Sequence, residues 1–347
     1  RTAARWTDRR ERLYRGPADD EVGADASPDD WPTYRHDNAR RGCSESMIAD
    51  DPAVAWRREV SGRLSAPTSA DGKVFVAAVD RHTVHALDLD DGEQLWSRVV
   101  GGRVDSPPTY WKGRVYFGSA DGHVHCLDAD DGSPLWRILA APDRTSIIAW
   151  NQLESPWPVP GSVLVKDGFV YALAGRSAHL DGGIYFVKLD ALTGEPELTK
   201  QIYLRVDVGR QDETHVFDAR GPGYMDISGL LYDIPSSIGS SIFVRGTRLS
   251  LDGTLMHDQP ERHMFNPGGF LDDTWWHRFH MVQDARFLRD SLAGRILVLD
   301  DEHIFGYSHT GNRLFAAEIG KLEPPRSRSA MRNTPQDRRA ANAAATL

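Results

Sequence analysis

Cysteine is scarce in this chain, with only Cys43 and Cys126 among 347 residues. Two cannot build a disulfide scaffold or a four-cysteine zinc site, and Cys126, inside a strand-like run, reads as a small buried hydrophobe. Long apolar runs are also missing: the longest lies near Val74–Val79, far short of the roughly 18 residues a spanning helix needs. Basic charge is in deficit. The formal balance is −9, with −2 on residues 1–30, −11 on 31–320 and +4 on 321–347. An acidic folded region argues against coating a nucleic acid. No G-x-S-x-G, phosphate loop or G-x-G-x-x-G occurs, so hydrolase, kinase and nucleotide-binding readings have no support. The chain opens at Arg1 with no apolar signal core, and no export signal is read.

What is present is a repeat. Gly62–Pro67 aligns with Gly102–Pro107 at a shift of 40, and the same shift carries Asp88 to Asp128, Gly92 to Gly132, and Trp56 to Trp96 to Trp136. Within each period the pattern is strand. Gly72–Ala78 and Gly113–Gly118 are β-branched or aromatic runs opened by Gly. A turn signal, a second strand, an Asp-x-x-x-Gly turn and a strand ending near Leu-Trp follow each of them. Antiparallel meanders repeated every 40 residues predict an all-β propeller of four-stranded blades. A third unit contains Gly168–Ala172, Ile184–Leu189 and the turn Asp190–Gly194, set 62 residues after Asp128 by an insertion of about 22. Weaker fourth and fifth units start at Ser241 and Gly294. Five units are visible, two of them weak, with long insertions at 205–234 and 258–289. The predicted organisation is a linker or end of an upstream region over 1–30, a propeller over 31–320 and a disordered basic tail over 321–347. A short helix is expected over Ala3–Tyr14.

Ala86–Trp96 and Cys126–Trp136 are similar to the A-x-D-x-x-T-G-x-x-x-W signature of the pyrroloquinoline-quinone-type β-propeller repeat family, and Leu189–Glu195 keeps part of it. Trp31-Pro32-Thr33-Tyr34-Arg35-His36-Asp37, followed by Gly42, resembles the segment often found before the first blade in that family. The resemblance implies a ring of more blades, seven or eight being common. Trp56, Trp96 and Trp136 read as rings wedged between blades, with quinone stacking as the sharper alternative. Asp88, Asp128 and Asp190, with Gly92, Gly132 and Gly194, read as turn formers.

The family includes scaffolds without a cofactor and dehydrogenases of alcohols or sugars that use the quinone with Ca²⁺ and a carboxylate base. Many alcohol-oxidising members carry adjacent cysteines, and this chain has no such pair. Long loops are where function concentrates. One polar cluster holds Gln152 and Glu154, with Arg176 and Asp181 beyond it; a second holds Asp272, Asp273, Trp275, Trp276, His277 and Arg278. These are the ligand-binding candidates, and Glu154 and Asp272 the candidate bases. Each cluster also reads as aromatics packed on a sheet edge with charges in water. His123-x-His125 places two rings on one strand face, a spacing a transition metal can use. His85 stands at the position of His125 one period earlier, which suggests a repeated structural role, and no metal is assigned. The leading expectation is a non-catalytic scaffold gripping protein or polysaccharide with its loop face, and the alternative is the dehydrogenase. Resemblance to the outer-membrane barrel-assembly lipoproteins of the family implies a periplasmic or cell-envelope setting. Oligomeric state is not readable.

Overall fold

The fold was taken from a computed structural model, which describes residues 12–17, 22–204, 230–256, 263–264, 266, 268–271, 296–308 and 313–319. Among these, strands dominate. Strand β1 is Leu13–Arg15. Blade 1 follows as β2 (Thr68–Ala70), β3 (Lys73–Ala78), β4 (Thr83–Asp88) and β5 (Gln94–Val99), paired antiparallel in chain order. Blade 2 is β6 (Thr109–Trp111), β7 (Arg114–Gly118), β8 (His123–Asp128) and β9 (Pro134–Leu139). A hairpin, β10 (Ile147–Ala149) with β11 (Gln152–Glu154), stands in the insertion before blade 3. Blade 3 comprises β12 (Leu164–Lys166), β13 (Phe169–Ala174), β14 (Ile184–Asp190) and β15 (Pro196–Ile202). Blade 4 comprises β16 (Ser236–Ile238), β17 (Ser241–Val244), β18 (Thr247–Ser250) and β19 (Leu255–Met256). A fifth sheet has β20 (Ile296–Leu299), β21 (His303–Ser308) and β22 (Arg313–Glu318). The architecture is the expected propeller of antiparallel four-stranded blades. No described helix is long and apolar enough to cross a membrane.

The repeat becomes packing at the blade interfaces. Trp56 donates its indole N–H to Leu89 O (2.8 Å), Trp96 to Ala129 O (2.9 Å) and Trp136 to Ala191 O (3.0 Å). Each ring lies under the turn glycine of the next unit; a Cβ on Gly92, Gly132 or Gly194 would fall 2.5–2.6 Å from it. Those glycines have φ near +70°, which also favours the residue without a side chain. The turn aspartates act as expected of turn formers: Asp88, Asp128 and Asp190 accept backbone N–H groups two residues on at 2.7–3.1 Å. The apolar cores accordingly lie between blades. One joins Phe75, Ala86 and Trp96 of blade 1 to Val115 and Phe117 of blade 2, and the next joins Trp136 to Val170 and Val187 of blade 3. Cys126 is fully buried in the latter, unpaired with Cys43, its thiol pushed up to about 12 by burial.

The segment 31–41 runs along the first strands of blades 1 to 4 and of the fifth sheet. Trp31 exchanges backbone hydrogen bonds with Ser69 of β2 (2.8 and 2.9 Å), and Pro32 O accepts from Tyr110 N of β6 (2.7 Å). Asn38 donates to Val165 O of β12 (2.8 Å) and accepts from Ser237 N of β16 (2.7 Å). Arg41 O accepts from Leu299 N of β20 (3.1 Å), and Arg35 donates to Leu297 O. Arg40, with no exposed surface, donates to Pro235 O (3.0 Å), Thr33 Oγ1 (2.8 Å) and Tyr34 O (3.0 Å). Burial pulls its pKa down to about 10.

One local expectation is corrected. Leu13 and Tyr14, read as the end of a helix, are strand, and β1 adds to the outer side of β9. Pairing with an existing edge outweighs the modest helical preference of so short a segment.

Candidate functional site

In an antiparallel meander, the loop entering each blade and the turn between its second and third strands lie at the same end. Here that end carries the entry loops 61–67, 100–108, 140–163 and 230–235, together with the 119–122 turn of blade 2. Asp105, in the entry loop of blade 2, is the hub. Its Oδ1 accepts from Gly161 N (3.0 Å) and Ser106 Oγ (3.1 Å), and its Oδ2 from Tyr232 OH and Arg103 Nη1 (3.3 Å). Arg103 also grips both oxygens of Glu154, Nε to Oε1 at 2.8 Å and Nη2 to Oε2 at 3.3 Å. Burial alone would lower the Arg103 pKa; the Glu154 hydrogen bond, with the nearby acidic groups, overcomes this and holds it above the ordinary value. Burial, and then the charge of Asp105, push the Tyr232 hydroxyl well up. The cluster is a charged rivet between the entry loops of blades 2, 3 and 4.

Beside it, alternate residues of one turn and strand form a second chain. Ser119 donates to Asp121 and lies 2.9 Å from His125 Nε2, while Asp121 Oδ2 lies 3.1 Å from His123 Nδ1. His125 is buried and stacked on Phe117 (4.9 Å), and desolvation drops its pKa to about 3, so it is neutral. Burial would raise Asp121, but its bond to His123 and the neighbouring charges carry it below the usual carboxylate range. Between the two groups lies a pocket of about 220 Å³ lined by Asp121, His123, Arg144, Ser146, Glu154 and Ser155, among others. It can admit a small polar group. Of its two carboxylates, Glu154 accepts from Arg103 and Asp121 accepts from Ser119.

The hairpin β10–β11 lines this pocket through Leu153 and Glu154. Trp150 and Asn151 form its tip at φ +53° and +61°, the left-handed pair of a two-residue hairpin turn. Ile148, Trp150 and Leu153 are 82%, 80% and 67% exposed. His82 holds the hairpin to blade 1 through Gln152 Oε1 (2.7 Å), and Arg103 holds its base through Glu154.

The sequence-derived candidates therefore separate. Gln152 and Glu154 face blades 1 and 2, whereas Arg176 pairs with Asp181, and Trp157 bridges to Asp181 O (2.9 Å). No hydrogen bond or ion pair joins the two sets among the described residues. Asp272, Asp273, Trp275, Trp276, His277 and Arg278 lie outside the described residues. His85 and His125 share a register but not surroundings: His85 meets Gln94 (2.9 Å), where blade 2 has Pro134, so the repeated role expected for them is not found. Sequence reasoning missed Asp105 and Tyr232. The available signal was the one change of charge in the repeated hexapeptide, Ser65 against Asp105.

Among the described residues no group of three or more His, Cys, Asp or Glu could hold a metal ion. Of the two candidate bases, Glu154 is bonded to Arg103, and Asp272 lies outside the described residues.

Residues 46–227 match the family model described as outer membrane protein assembly factor BamB, a PQQ-like repeat model. No curated protein matches. Among solved structures, a quinohemoprotein alcohol dehydrogenase from Pseudomonas putida aligns at 16% identity and TM-score 0.48, covering 87% of this chain and 51% of its own. The corresponding enzyme from Comamonas testosteroni aligns at 18% and 0.46, covering 86% and 48%. BamB from Moraxella catarrhalis aligns at 16% and 0.35, covering 74% and 73%. The chain spans about half the length of those two dehydrogenases.

Proposed function

We propose, from the premise that this chain belongs to the PQQ-like repeat family whose model is described as outer membrane protein assembly factor BamB, that it is a non-catalytic binding module of the cell envelope. The observation that carries this reading is the hairpin 147–154. Three large apolar side chains stand in water on a hairpin pinned at its base by Arg103 and near its tip by His82. A rigid exposed aromatic is the usual centre of a protein–protein contact, and an aliphatic pair beside it fits a protein better than a polysaccharide.

Two measurements test it. A photo-crosslinking residue in place of Trp150 should label a defined envelope protein, and Ile148→Ser in the same chain should abolish that label without moving the thermal midpoint. A labelling pattern indifferent to Ile148→Ser refutes the docking role. The rival dehydrogenase reading is tested by melting the chain with and without pyrroloquinoline quinone and Ca²⁺. Ligand at about 100 times its Kd stabilises by about 2.7 kcal/mol, a readable upward shift. That shift, with dye reduction on addition of an alcohol or sugar, would replace the binding-module reading.

A further inference from the structure

The outer edge of β9 is unlike the other described blade edges because a fifth strand already sits on it. β1 pairs Leu13 with Ile138, Tyr14 with Arg137 and Arg15 with Trp136, and Gly16 N continues the ladder to Leu135 O (2.8 Å). The contacts read side chains as well as backbone. Arg12, 5% exposed, donates to Leu139 O (2.8 Å), Pro142 O (2.9 Å) and Ala141 O. Leu13 packs on the core shared by blades 2 and 3. The Tyr14 ring lies under the Arg137 guanidinium (5.9 Å), and Arg15 pairs with Glu195 (2.9 Å). A Cβ on Gly16 would sit 1.7 Å from Pro134 O, so only glycine fits there. The edge thus selects Arg-Leu-x-Arg-Gly. Blade 1 shows the selection from the other side. One unit earlier, Arg98 stands in place of Ile138 and Ser133 in place of Glu195, and among the described residues no strand is added to β5.

The geometry points to a strand-docking site on the blade 2 edge, filled in cis by residues 12–16 and open to the same segment of a second copy when its own is withdrawn. Charge and shape both name this occupant: an arginine for a cluster of carbonyls, an arginine for Glu195, and a glycine where nothing larger enters. In the intact chain only Pro17–Val22 lie between this strand and Gly23, which is itself hydrogen-bonded to Lys112 O (3.1 Å). So short a link gives the cis segment an effective concentration in the millimolar range. Exchange therefore requires that the cis strand be weakened.

A fluorescent peptide with the sequence of residues 9–17 is the probe, read by polarisation. The full-length Leu13→Asp chain, whose own strand is disfavoured, should bind it at least tenfold more tightly than the unaltered chain. Glu195→Arg in that background should weaken binding several-fold, and a peptide carrying Gly16→Val should not bind. A Leu13→Asp chain that still melts cooperatively yet ignores the peptide overturns the proposal, as does equal binding by the unaltered chain. Because full-length Leu13→Asp keeps every other residue, the test does not depend on whether a chain shortened at residue 22 folds. The second copy is tested by mixing Leu13→Asp, with an intact edge, and Glu195→Arg, with an intact strand. Sedimentation should show a one-to-one heterodimer; peptide binding without that heterodimer overturns the second copy as occupant.

Discussion

The three docking tryptophans play one role at three depths, so truncating each in turn is a graded test of what holds the blades together. Trp136 is 1% exposed, Trp96 7%, and Trp56 only half-buried. Trp136→Ala removes a fully enclosed indole, yet its acceptor is not orphaned: Ala191 O still receives the Tyr116 hydroxyl at 3.1 Å. The cost is then that of the cavity, about 3–5 kcal/mol for a large aromatic. Trp56→Ala empties a site that water already reaches and should cost about 1–2 kcal/mol, much of it the hydrogen bond to Leu89 O and part of the ring's burial. Trp96→Ala should fall close to Trp136→Ala. Urea unfolding separates them: a difference of about 2 kcal/mol at an m value of about 3 kcal/mol/M moves the midpoint by about 0.7 M. Equal midpoints for Trp56→Ala and Trp136→Ala, or a larger loss at Trp56, would refute burial between blades as the source of the repeat.

Arg40→Met should destabilise by about 3–5 kcal/mol, because Pro235 O and Tyr34 O lose a buried donor; a chemical melt within about 1 kcal/mol of the parent refutes the load assigned to it. His125 is neutral when folded, with a pKa near 3. The unfolded chain therefore gains the proton first as pH falls below about 6.5, and stability is lost from there down towards 3. His125→Phe should flatten that limb in melts taken from pH 7 to 4, and an unchanged limb counts against it. Asp233 acts with the opposite sign. Desolvation lifts it to about 6 against the pull of Arg245, so its contribution is greatest below about 4 and is lost as pH rises through 6. Asp233→Asn should remove a slope worth about 3 kcal/mol over that window, and an unaltered profile refutes it.

The fold is legible where blades dock, because the Trp and Gly that meet across an interface recur every 40 residues. It fades where the same job passes to other residues. In blade 3, Leu198 stands where the Trp would be, and Gly253 rests instead on Phe186, from a different strand, at 2.6 Å from an added Cβ. No fixed offset finds that pair. The polar cluster around Glu154 is visible as composition, but its meaning depends on Arg103, 51 residues earlier. A carboxylate within a sequence run does not reveal whether its partner is solvent, substrate or a guanidinium. β1 is opaque for a related reason: three residues become strand only because β9 offers an edge, the core of blades 2 and 3 an apolar seat for Leu13, and Glu195 of blade 3 an acid for Arg15.

The segment that touches the first strands of blades 1 to 4 and of the fifth sheet also sets a timetable. Arg35 meets Leu297 across 262 residues, and Arg41 meets Asp301 across 260. During synthesis at about 5–20 residues per second, residues 31–41 wait roughly 13–50 s for their last partners to be made. Neighbouring blades can pair as they emerge, since their contacts are local in sequence. The stretch can thus bond to blades 1 to 4 as they emerge, and Arg40 can be buried once Pro235 is made, but the contacts of Arg35 and Arg41 must wait for the fifth sheet.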